Sequence, residues 1–213
     1  AGPAGGAPVA LGGGGGLMAR HQAIAAAGAA IVAALRSRFP STQFGDADLN
    51  IELRAMADIQ TAMGTPPAIA LLLWRITPSS TRAPSPRVAI DGHRFKASLA
   101  VDLHYLMIPY GNSAEAQQRL LGWMLRAMED LGPLLASQLN NALSESDVFQ
   151  PQESVELVLD QLSLADHLTL WDRIRLLPPS ANYVLRRVLI DSDEEITTHP
   201  AVTQRQFRMG VPS

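Results

Sequence analysis

Asp102 and His104 lie two residues apart in an otherwise apolar run, SLAVDLHYLMIPYG (Ser98–Gly111). A carboxylate that orients an imidazole is two thirds of a hydrolytic triad, with Ser98 or Ser113 as the hydroxyl nucleophile. Residues two apart in a strand do share a face. Their backbones, however, are roughly 6.5–7 Å apart, which does not favour direct contact. The simpler reading is a polar pair on a partly solvated sheet face, or one that faces another subunit. A hydrolase using Asp102 and His104 therefore stays as a remote alternative.

Arg186 and Arg187 raise a related question. They interrupt YVLRRVLI, a run with strand character, and an unbroken strand places them on opposite faces. A buried guanidinium without a carboxylate partner costs several kcal/mol. Asp102 and Glu156 are the strand-borne candidates. At least one arginine is expected to pair with a carboxylate on another strand or subunit.

Other chemistry finds little support. The chain has no cysteine, which removes disulfides, thiol catalysis and thiolate metal sites. The glycine run Gly12–Gly16 lacks a preceding strand, and no Gly-Lys-Ser/Thr follows it, so neither nucleotide-binding fingerprint is present. DADLN (Asp46–Asn50) begins like a calcium loop, but Ile51 stands where glycine is required and Ala57 where the bidentate glutamate belongs. His21, His93, His167 and His199 show no metal-ligand spacing. The acidic run Asp191–Glu195 reads as a solvated strand exit. No catalytic, metal or cofactor residues are assigned. The net charge of −3 gives no push toward nucleic acid. Trp74, Trp123 and Trp171 have no interleaved basic residues and read as core or interface anchors.

The elements that must position these residues can be read from periodicity. Met18–Leu35 is led by a basic pair like a secretory leader, but RSRFP follows where small neutral residues belong. It is also too short to span a bilayer. Ile24, Ile31, Leu35 and Phe39 space as one stripe of an amphipathic helix. Leu49–Leu53 alternates as a short strand, and Ala55–Met63 forms at most a helical turn. Ala68–Ile76 is a near-continuous apolar run, expected as a central strand buried on both faces. Asp91-Gly92 marks a hairpin between short runs. In the Ser98–Gly111 strand, Leu99, Val101, Leu103, Tyr105 and Met107 share one face. Asp102, His104, Leu106 and Ile108 share the other.

Asn112 or Ser113 then caps a helix. Its stripe is Gln117, Leu120, Leu121, Met124, Leu125, Met128 and Leu131, and Gly132-Pro133 ends it. A short helix follows from Pro133, then a strand at Ser154–Leu159. Ser163 and Asp166 open a further helix like a capping box, with Leu164, Leu168, Trp171 and Arg175 as its apolar column. Pro178–Ile190 turns into the last strand.

The sum is α/β: a single domain over 18–195 with a mixed β-sheet covered by helices. Residues 1–17 form a Gly/Ala/Pro-rich arm. It has too little apolar surface to order alone, so order there requires a neighbouring subunit. Met18 is an alternative start. Residues 196–213 form a polar C-terminal arm, with Val202, Gln204, Gln206, Phe207 and Met209 as candidate interface residues beside Arg186, Arg187 and Asp102.

Three blocks carry a family resemblance: IALLLWRITPSS (Ile69–Ser80), SLAVDLHYLMIPYG with AEAQQRLLGWMLRAM, and SLADHLTLWDRIRLLPPSANYVLRRVLIDSDEE. Over roughly residues 20–195 they resemble the cap, or tail-terminator, proteins of phage-tail-like contractile injection systems. The resemblance implies a tail-terminator-like fold and a structural role with no active site. The implied partners are its own copies in a homohexameric ring, the inner tube protein and the sheath protein, without nucleic acid or membrane insertion. It implies assembly in the bacterial cytoplasm into a particle that is released or anchored. An adaptor or baseplate-type component of the same particle is the alternative. On this resemblance Asp102, His104 and Tyr105 are fold or interface positions.

Overall fold

The computed structural model describes residues 21–59, 65–80, 93–143, 148–174 and 177–196, and the backbone of 87–88. The arm at 1–17, most of the arm at 196–213 and the Asp91-Gly92 turn lie outside the described residues.

Six strands form one mixed sheet. They are β1 (Asn50–Arg54), β2 (Ala68–Pro78), β5 (Leu99–Tyr110), β8 (Ala181–Ile190), β7 (Ser154–Leu159) and β6 (Leu134–Leu135), in that spatial order. β1 and β2 are parallel, and every other neighbouring pair is antiparallel. Two short strands, β3 (Arg87–Val88) and β4 (Arg94–Phe95), pair beside the sheet around the expected hairpin. The expected helical turn is a single 3₁₀ turn at Met56–Asp58.

One sheet face is covered by α1 (Ala23–Arg38), α2 (Ala114–Leu131) and α3 (Ala136–Asn140). Val101, Leu103, Tyr105 and Met107 of β5 enter this larger core with Ile31, Leu35, Leu120, Met124 and Met128. The alternation of β5 therefore divides as its sequence predicts. α1 approaches closely because its inner face is small: Ala23, Ala26, Ala27 and Ala30 are buried. A Cβ on Gly28 would come within 2.9 Å of Leu53 Cδ2 and 3.1 Å of the Tyr105 hydroxyl. Burial pushes the Tyr105 hydroxyl's pKa far up, so it stays protonated. Ser113 caps α2 by accepting the Ala116 N–H at 3.1 Å.

Among the described residues the other face is covered only in part. α4 (Leu164–Arg173) packs Leu170, with Ile174 just beyond its end, on Ala70, Leu72, Leu106 and Ile108. β2 is next to the edge strand β1, not central, and is buried on both faces only over Ala68–Leu72. Past Leu73 its register shifts, and Arg75 and Ile76 are exposed.

Candidate functional site

Where α4 ends its cover, the sheet surface turns polar. Thr77 of β2, Asp102 and His104 of β5, Val184 and Arg186 of β8 and Glu156 of β7 line an open groove of about 680 Å³. β8 is irregular where it borders the groove. Val101 pairs with Val188 and Leu103 with Leu185, so Asp102 faces both Arg186 and Arg187. That is a β-bulge, two residues opposite one. Arg187 sits at φ 60, the left-handed region that a residue with a side chain rarely adopts. Asp102 holds it there: its Oδ1 accepts the Arg187 backbone N–H at 2.8 Å. A carboxylate thus replaces the ladder bond that the bulge removes.

This corrects the expected placement of the arginines on opposite faces. They do not lie on opposite faces of a regular strand, and both are exposed. Asp102 meets the backbone of Arg187, and neither guanidinium forms an ion pair within the described residues. Two consecutive arginines in the middle of an apolar strand were the sequence signal. Two polar residues in a row break the alternation, as a bulge does.

Asp102 and His104 share the groove but do not form a relay. His104 Nε2 lies 3.0 Å from Thr77 Oγ1 and its ring packs edge-on to Trp74. Burial, then the Arg75 charge, lowers the pKa of His104 below its usual value, so the ring is neutral at neutral pH. The two expected nucleophiles are engaged elsewhere. Ser98 donates to Asp191 at 2.5 Å, and Ser113 caps α2. Trp74 is tied into the same wall, its Nε1 donating to Asn182 Oδ1 at 2.9 Å.

Replacing Asp102 by alanine is expected to destabilise the fold by about 1–2 kcal/mol, because it strands the Arg187 N–H of a strained bulge. Asparagine retains an acceptor and loses less. Urea denaturation of the two variants measures the difference.

The structure also gives the direction of the apolar column of α4. The column Leu164, Leu168 and Trp171 points outward: these side chains are 74%, 57% and 57% exposed. The capping pair is present, with Ser163 Oγ accepting the Asp166 N–H at 3.0 Å. Leu170 and Ile174, off that column, face the sheet instead. Arg75 anchors the helix start through Asp166 at 3.7 Å. Among the described residues no helix is long and apolar enough to cross a membrane, and no group of three or more His or acidic residues could hold a metal ion.

A family model described as the Pvc16 N-terminal domain matches residues 26–204. The chain belongs to the Pvc16 N-terminal domain family. No curated protein matches it. Among solved structures it is similar to the cryo-EM structure of the PVC sheath/tube terminator, in the extended state, of an extracellular contractile injection system. The identity is 15% and the TM-score 0.52, over 89% of this chain and 65% of that one. The cap of the anti-feeding prophage, a tube-terminating cap, is also similar, at 17% identity and TM-score 0.47, over 84% of this chain and 59% of that one. The first likeness establishes the tail-terminator-like fold. The chain spans about 65% of the length of the terminator it matches.

In this Pvc16 N-terminal domain the residues singled out by sequence fall into two groups. Asp102, Arg186 and Arg187 meet at the bulge, beside His104. Val202, Gln204, Gln206, Phe207 and Met209 lie outside the described residues. The exposed α4 column and Thr77 join the candidate surface from the structure alone. The groove and the column lie on the same side of the sheet, the side that α4 covers in part.

Proposed function

We propose that this domain is a non-enzymatic structural subunit of a ring that ends the inner tube of a contractile injection particle and joins its last sheath layer. The observation that carries the reading is membership of the Pvc16 N-terminal domain family. The fold it shares with a protein described as a sheath/tube terminator supports it. The surface is consistent with such work: an open polar groove, two exposed arginines and an outward apolar helix face suit protein contacts better than small-molecule chemistry.

The ring is formed of copies of this chain, six by the family resemblance, and its neighbours are the tube and sheath proteins. Assembly takes place in the bacterial cytoplasm, before the particle is released or anchored. Arg186, Arg187 and Asp102 face a neighbour. The arms at 1–17 and 196–213 take their places on assembly, with Val202, Gln204, Gln206, Phe207 and Met209 as anchors of the second. Locating the chain in intact particles by cryo-EM tests the reading. Density at the tube end away from the baseplate supports it. Density at the baseplate end supports instead an adaptor or baseplate component.

A further inference from the structure

We propose that the copies join edge to edge, the outer edge of β7 in one copy pairing with the outer edge of β1 in the next, so that the sheet runs on from subunit to subunit. This rests on the ring reading above and specifies its interface.

The edge of β7 is open. β6 pairs only with Ser154 and Val155. The Asp160 N–H donates to Asn182 O at 2.9 Å, so residues 156, 158 and 160 turn their backbone groups toward β8. Leu157 and Leu159 therefore turn theirs outward, where no strand lies among the described residues. Over the open stretch Leu157–Leu159 there is no proline and no charged residue, and Leu159 is 55% exposed.

The opposite end of the sheet carries a matching edge. The Asn50 N–H donates to Pro67 O, so Ile51 and Leu53 turn their backbone groups outward. Leu53 and Met56 are exposed there, at 48% and 42%. The Ile51 carbonyl accepts Arg36 Nη2 at 3.1 Å, and a carbonyl has a second lone pair for a strand partner.

The two edges agree in direction, in face and in the phase of their outward groups. Through the chain of pairings, β1 and β7 run in opposite directions. A rotational ring preserves the axial sense of each copy, so the incoming β1 meets β7 antiparallel. The faces also agree: Ile51 and Leu53 lie on the α1 side, and so do Val155 and Leu157. Setting Leu157 opposite Leu53 and Leu159 opposite Ile51 then matches outward groups with outward groups. It puts Arg54, which already pairs with Glu52 at 2.9 Å in its own chain, across from Glu156 as a second carboxylate. Finally, β1 ends at Arg54, so the chain turns away before it reaches β6. A twofold β7–β7 pairing centred on Val158 would instead set Glu156 against Asp160.

Residue-resolved hydrogen exchange on the full chain, dilute and assembled, tests this. The expected signature alternates: on assembly the amides of Leu157 and Leu159 slow by roughly a hundredfold or more, while those of Glu156, Val158 and Asp160, held by β8 throughout, change little. Leu159→Pro should block association at concentrations where the wild type assembles, because proline is tolerated where the N–H faces outward. Glu156→Arg and Arg54→Glu should each weaken association, and the double exchange should restore it. If copies associate while Leu157 and Leu159 keep exchanging fast, the edge pairing is wrong and the ring stands. If copies never associate, alone or on tubes, the ring reading fails and takes the edge pairing with it.

Discussion

Gly111→Ala lowers the stability of the folded domain by about 2–3 kcal/mol, at the upper end of what overpacking costs. Gly111 is the joint between β5 and α2. A Cβ there would lie 2.4 Å from the Gln117 backbone nitrogen and 2.8 Å from the Ala116 carbonyl carbon. These are backbone atoms of the first turn of α2, so no side chain can rotate away to make room. The turn itself is clamped. The Gln117 N–H donates to Ser113 O, its side-chain amide donates to Pro109 O at 2.9 Å, and Ser113 caps the helix. Relief therefore requires α2 to move against β5, which unseats Leu120, Met124, Met128 and Leu131 from the core. Gly122 is the internal control. It is exposed on α2 with nothing within 4 Å of an added Cβ. Gly122→Ala should stabilise by about 0.5–1 kcal/mol through helix propensity alone. Paired denaturant titrations should show opposite signs for the same chemical change. Equal, small effects would contradict the packing described at the joint.

The second large effect is on attachment and leaves folding nearly untouched. Changing Leu168 and Trp171 together to glutamate should leave stability within about 0.5 kcal/mol per site, because both side chains point away from the sheet. The same double variant should fail to be retained in the particle. Contiguous exposed apolar side chains mark interaction surfaces, and a tryptophan at the centre of such a patch commonly carries much of the binding energy. The check is the amount of the chain that co-sediments with purified particles, set beside a thermal melt of the free domain. A folded variant that is retained as well as the wild type would remove α4 from the interface. Unfolding would show that the column is core after all.

Much of the fold was legible in the sequence because burial on two faces leaves strong periodic marks. The alternation of β5 separated Leu103, Tyr105 and Met107 from Leu106 and Ile108 as observed. Ser113 and Ser163 announced two helix starts through their hydroxyls. Errors arose where local pattern and tertiary placement diverge. The Leu164–Leu168–Trp171 column looks like a core stripe, since periodicity reports that a helix has an apolar face and not which surface that face meets. β2 looked central because its first half is buried on both sides, although only a five-residue strand lies beyond it. The bulge at Arg186–Arg187 reversed the assumed direction of a side chain, because one added residue flips the face of every later position in the strand. The groove could not be read at all. It joins Thr77, Asp102, Glu156 and Arg186 from four strands, and only the strand order brings them together.

The central claim is that this subunit ends the tube. Its most direct test is the distribution of tube lengths, measured by electron microscopy in particles assembled with and without the chain. With it, lengths should cluster at one value and the chain should sit at the far end. Without it, tubes should be overlong and widely scattered in length. An unchanged, narrow distribution in its absence would contradict the account.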